Sequence, residues 1–214
     1  MFWSSRKAFR IYYYMSSLLP VYLLVLIFMT SIKFNISEID SVRNLLAKLG
    51  NITSYKVVLY TFMVLLFISF FCLYKVVKII NNTKKYSKTF GKTRVVLKDE
   101  YNVGFREFIL SVILPMMSTF SIDEYPIPTL IMIIIFQLLI YIFFINSSDF
   151  FPNISLVALG YSIFIVESTE EDSNLRFVFG RTKNIDDIIK CSKEFEVIEI
   201  GESDYSNNIG VIDE

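Results

Sequence analysis

The chain has 214 residues, 54% of them hydrophobic, with 21 basic residues balanced by 21 acidic ones and a mean hydropathy of +0.52. It is too apolar for an ordinary water-soluble domain of this size, and a neutral chain offers no overall basic surface for nucleic acid. The absence of histidine removes the commonest general base and metal ligand, and the two cysteines, Cys72 and Cys191, draw neither a zinc spacing nor a disulfide framework.

A bilayer core about 30 Å thick needs about 20 mainly apolar residues in a helix. Residues 11–32 form the first such block, built on Leu18-Leu19-Pro20-Val21-Tyr22-Leu23-Leu24-Val25-Leu26-Ile27-Phe28-Met29. A cleaved leader is the rival reading, since Arg6, Lys7 and Arg10 precede it, but Thr30-Ser31-Ile32-Lys33 is a poor cleavage site and a retained span is expected. An external loop follows, in which residues 41–49 read as a short amphipathic helix with Val42, Leu45, Leu46 and Leu49 on one face. Asn35 and Asn51 head sequons that matter only in a glycosylating compartment.

The second span is expected at about 57–74, the third at about 108–122 with Pro115 inside it, and the fourth at about 127–145. Asp123, Glu124 and Tyr125 leave the last two as an antiparallel hairpin. Between the second and third spans, residues 75–106 carry nine Lys and Arg, and the N-terminus carries three. The opposite side carries four: Lys33, Arg43, Lys48 and Lys56. Basic loops stay on the cytoplasmic face, so both termini and the 75–106 loop are expected there, in a bacterial inner membrane. Tyr12, Tyr13, Tyr14 and Tyr74 fit the headgroup level of that face.

No Asp, Glu, Lys or Arg lies inside an expected span, which speaks against an ion or proton pathway. The intramembrane polar candidates are Gln137, Ser118 and Thr119, and Gln137 reads first as one interhelical hydrogen bond, with a pore-lining role as the alternative. Pro20 and Pro115 each remove a backbone donor and favour a kink. In the basic loop, Lys84, Lys85, Lys88, Lys92 and Arg94 are candidates for contact with anionic lipid, a nucleic acid or an acidic partner, and Arg94-Val95-Val96-Leu97-Lys98 is a candidate strand for the C-terminal domain.

That domain, residues 147–214, is expected to be small, β-rich and cytoplasmic. Phe150-Phe151-Pro152-Asn153 reads as a turn, and the apolar run 156–166 is too short to span and is broken at Gly160 and Tyr161. Ile163-Phe164-Ile165-Val166 and the alternating Leu175-Arg176-Phe177-Val178-Phe179 suggest an antiparallel hairpin. A short helix from Asn184, a strand at 195–200 and a flexible tail from Ser203 complete it; Arg176 and Arg181 join the partner-contact candidates. About 55 residues make a marginal core, so the domain must lean on the second loop, the bilayer or another subunit.

The expected architecture is a four-transmembrane-helix bundle, residues 1–146, with a small cytoplasmic α+β domain. Three stretches make it resemble the KwaA family, the membrane subunit of the Kiwa anti-phage system. They are Ser16-Ser17-Leu18-Leu19-Pro20-Val21-Tyr22, Phe108-Ile109-Leu110-Ser111-Val112-Ile113-Leu114-Pro115, and Asn153-Ile154-Ser155-Leu156-Val157-Ala158-Leu159-Gly160-Tyr161-Ser162-Ile163-Phe164. The resemblance implies a non-catalytic sensor that forms a homo-oligomer and holds a soluble, DNA-binding KwaB-like partner at the membrane, with no direct nucleic-acid contact of its own. No catalytic residue, metal or cofactor is expected. The alternative from the residues alone is an oligomeric pore or depolarising effector; a lipid-modifying enzyme lacks any catalytic constellation.

Overall fold

The computed structural model describes residues 5–35, 43–85, 92–101, 126–146, 150, 153–169, 175–181, 195–200 and 209–212. Five helices and five strands follow in the order α1 (Ser5–Ser17), α2 (Leu19–Asn35), α3 (Arg43–Lys85), β1 (Lys92–Tyr101), α4 (Pro126–Asn146), α5 (Ile154–Ala158), β2 (Tyr161–Ser168), β3 (Phe177–Arg181), β4 (Phe195–Glu199) and β5 (Ile209–Ile212). The span expected at about 108–122, with Ser118 and Thr119, lies outside the described residues, as do Lys88, Cys191 and the short helix expected from Asn184.

Among the described residues, three stretches are long and apolar enough to cross a membrane: Ala8–Thr30, Ser54–Lys85 and Ile127–Asn146. The first is interrupted at Leu18, between α1 and α2, two residues before Pro20. In the first turn of α2 the missing proline N–H costs that helix nothing, whereas the preceding turn loses the donor its carbonyl would have used. Pro126 and Pro128 sit in the first turn of α4 for the same reason.

α3 corrects the expected boundaries. A loop with its own short helix, a span at 57–74 and a basic loop from 75 are in fact one continuous helix through Lys85, 43 residues long. At 1.5 Å per residue it measures about 65 Å, twice the hydrocarbon thickness. Lys56 and Lys75 flank the span expected from the sequence, but neither ends the helix. From Arg43 to Lys85 there is no proline and one glycine, Gly50. Val58, Phe62, Ser69, Val76 and Ile80 are buried, while Tyr60, Val64, Phe67, Phe71 and Tyr74 are exposed on the other side. Matching exposed apolar faces on α2 (Leu24, Ile27, Phe28) and α4 (Ile131, Ile135, Leu138, Ile142) would be a liability in water and suit contact with lipid.

The strands pair in the order β1-β2-β3-β5-β4, with β4 returning to β1, so the sheet closes. The hairpin of β2 and β3 has Ile163 opposite Phe179 and Ile165 opposite Phe177, as the alternation predicts. β1 joins from between the spans, antiparallel to both β2 and β4. The expected flexible tail is corrected in part: Ile209–Ile212 forms β5, parallel to β3 and antiparallel to β4. Four apolar residues in a polar tail carry too short a pattern to read as a strand. They are held by ladders on both sides, and the sheet has no free edge where they lie.

Side chains alternate across the closed sheet. Val95, Phe164, Val166, Val178, Val197 and Ile212 fill its interior together with Leu175. Tyr161, Ile163, Phe177, Phe179, Ile209 and Val211 point the other way, into the core shared with the helices. This second apolar face is how a sheet too small to be secure alone gains a continuous core.

Candidate functional site at the helix–sheet junction

The carbonyls freed at the α1–α2 break are met by side chains from the α5 segment. Pro20 has no N–H for the Ser16 carbonyl, and that carbonyl accepts instead from Ser155 Oγ at 3.1 Å. Asn153 lies beside it, 1% exposed, and uses its whole amide. Its Nδ2 donates to the Tyr13 carbonyl at 3.2 Å and to Ser16 Oγ at 2.6 Å. Its Oδ1 accepts from the Ser155 and Leu156 N–H groups at 3.0 and 3.2 Å, which makes it the N-cap of α5. A buried amide with four partners fixes one geometry.

One and a half turns back along α1, Arg10 is 4% exposed. Its guanidinium lies 4.7 Å from the Phe144 ring centre and 4.9 Å from that of Phe150, and Nη2 donates to the Phe144 carbonyl. Phe144 is in the last turn of α4, where carbonyls lack helical partners and the helix dipole is negative. A cation there is favoured twice, by the dipole and by the ring faces.

Those rings continue into the sheet. Phe150 packs on Phe144 at 5.6 Å, on Tyr13 at 5.2 Å and on Phe177 at 5.5 Å, and Phe9 meets Phe179 at 5.7 Å. On the third side, Tyr161 Oη donates to Asn81 Oδ1 of α3 at 3.1 Å. The sheet is therefore tied to α1, α3 and the end of α4 by interlocking rings and buried hydrogen bonds.

Deeper in the helices, Gln137 is 8% exposed. Its Oε1 accepts from Tyr22 Oη at 2.9 Å and its carbonyl from Tyr14 Oη at 2.6 Å, locking α4 to both halves of the first span. Its Nε2 has no hydrogen-bond partner among the described residues.

The basic candidates fall into two groups. Lys84 and Lys85 end α3 just past Asn81, and Arg181 is the register partner of Tyr161, so these three border the junction. Lys92, Arg94 and Arg176 lie on the sheet: Lys92 pairs with Glu196 across β1 and β4 at 2.7 Å, Arg94 is exposed with its carbonyl accepting from Thr169, and Arg176 flanks the Phe177 ring. Among the described residues no three Cys, Asp or Glu side chains gather as a metal site. Arg10 and Asn153 were not singled out from the sequence. Arg10 reads there as one more positive charge of the N-terminus, and its partners are more than 130 positions away.

No curated protein and no solved structure matches the chain. The family model described as anti-phage protein KwaA matches residues 9–206, from the start of the ring cluster through all but the last strand of the sheet. The chain belongs to the KwaA family of anti-phage proteins.

Proposed function

We propose that this chain is a non-catalytic membrane sensor and scaffold of anti-phage defence, which holds a soluble DNA-binding partner at the bacterial inner membrane. The observation that carries the reading is the seating of the closed sheet on the spans. Phe9, Tyr13, Phe150 and Phe179 form one ring cluster, and Asn153 and Arg10 tie the segment that leads into the sheet to α1 and α4. A displacement of α1 against α4 is thereby delivered to the sheet, where Arg94, Arg176 and Lys92 face outward for a partner.

Four spans with cytoplasmic termini are part of the reading. The start of α1, the end of α3 and the end of α4 meet at the sheet, while Tyr55 donates to the Met29 carbonyl toward the other end. The sheet side is also the one rich in Lys and Arg. A homo-oligomer is the assembly we expect.

The test is purification of the tagged full-length protein in mild detergent, co-expressed with its gene neighbours, with and without phage challenge. The reading predicts a stoichiometric soluble protein, lost when residues 167–214 are deleted. If only copies of this chain are recovered, and liposomes holding it conduct ions, the pore reading replaces it.

A further inference from the structure

The short helix α5 packs among the apolar helices, where a loop of a soluble domain does not belong. Ser155 and Asn153 are bonded to Ser16 and Tyr13, and Ser16 is six helical residues, about 9 Å, further along the first span than Arg10. α5 packs against α1, α2 and α3, and the chain then climbs through Gly160, whose φ of +81° turns it out of the helix, to Tyr161 beside Asn81. From Phe150 to Val166 no residue is charged.

Backbone can lie within the hydrocarbon only if its polar groups are satisfied. Here they are. Ser155 and Leu156 N–H donate to Asn153 Oδ1, Leu156 and Val157 N–H reach the Asn153 carbonyl, and Leu159 and Gly160 N–H return to the carbonyls of Ser155, Leu156 and Val157. What α5 leaves exposed is apolar: Val157 at 36%, Ala158, and Leu159 at 54%. The helices it packs against, α2 and α3, carry exposed apolar residues of their own, among them Leu23, Leu24, Phe70 and Phe71.

We propose that Ile154–Leu159 is a wedge seated in the leaflet on the sheet side, with Val157 and Leu159 against lipid acyl chains. The depth matches that of interfacial helices, whose apolar faces sink about 5–10 Å. The wedge sits between the α1–α2 break and β2, so a change in tail packing acts on both through Asn153. The inference rests on the membrane placement of the spans and is independent of the partner.

The experiment uses the full-length protein with Cys72→Ala and Cys191→Ser, carrying Leu159→Cys or, separately, Val157→Cys, labelled with an environment-sensitive fluorophore and reconstituted in phosphatidylcholine vesicles. Arg94→Cys serves as the sheet control. The wedge predicts blue-shifted emission at 157 and 159, most of it lost with lipid spin-labelled near the top of the acyl chain and little lost with aqueous iodide, the reverse of the control. Strong quenching by iodide would overturn it in favour of a water-facing loop. Protection from both quenchers would overturn it in favour of a protein cover, either a second copy or a partner. Both positions are exposed, so labelling need not disturb the fold, and retention of the soluble partner is read separately.

Discussion

Replacing Asn153 by alanine removes four hydrogen bonds at the point where the first span meets the segment leading to the sheet. The two accepted from Ser155 and Leu156 are a helix N-cap, worth about 1 kcal/mol. The two donated to Tyr13 and Ser16 are buried interhelical bonds, worth about 0.6–1 kcal/mol each. The total is about 2–3 kcal/mol, which for a chain of this size lowers the thermal midpoint by about 5–10 °C. Asn153→Ser separates the two contributions, because serine still caps α5 but is too short to reach Tyr13 and Ser16, and it should give about half the loss. The assay is thermal unfolding in detergent followed by near-ultraviolet circular dichroism, with hydrogen exchange at the amides of β2. Faster exchange there in both variants is expected, because the two Asn153 bonds to α1 are gone in each. A midpoint for Asn153→Ala within about 1 °C of wild type would refute the claim that this amide holds the junction, since it would correspond to less than about 0.5 kcal/mol.

Arg10→Met should cost about 3 kcal/mol by removing a charge-assisted bond at the end of α4 and two ring contacts, and Arg10→Lys should recover less than half of it because an ammonium cannot stack on both rings; thermal midpoints in detergent decide. Gly210→Ala should destabilise more than Gly180→Ala. A Cβ at Gly210 overlaps Val197 Cγ1 and stands 3.3 Å from the Ile198 carbonyl, whereas at Gly180 it meets only side chains, Ile212 Cδ1 at 2.6 Å and Phe164 at 3.1 Å. Proteolysis of the sheet in intact membranes ranks the two. Truncation after Ile200 removes β5 and bares facing edges on β3 and β4, and it should abolish protease resistance of the sheet while leaving the spans inserted. Lys92→Gln should change stability by less than about 1 kcal/mol, because its pair with Glu196 is exposed.

Hydropathy found what depends on local composition. The three apolar helices long enough to cross a membrane, the β2–β3 hairpin and the strands at 94–98 and 195–200 are readable from runs and alternation of a few residues each. The full length of α3 is not legible from charge, which marks the expected water boundary, because helix continuity depends on the absence of proline from Arg43 to Lys85. β5 was missed because four residues are held by pairing with strands 13 and more than 30 positions earlier, which no local window contains. The junction is non-local in the same way. Ser16-Ser17-Leu18-Leu19-Pro20 and Asn153-Ile154-Ser155, two of the stretches that carry the family resemblance, are the two that meet there. Their polar residues read as an unremarkable helix break and a turn until one supplies the other's missing hydrogen bonds.

The central claim is that the outward surface of the closed sheet presents a soluble partner while the exposed faces of the spans meet lipid. Photo-crosslinking in cells tests it most directly, with a photoreactive residue placed at Arg94 or Arg176 on the sheet, or at Ile135 on α4, alongside the gene neighbours. The account predicts crosslinks to one soluble protein from Arg94 and Arg176 and none from Ile135. Crosslinks from the sheet positions only to further copies of this chain, or to no protein at all, would contradict it.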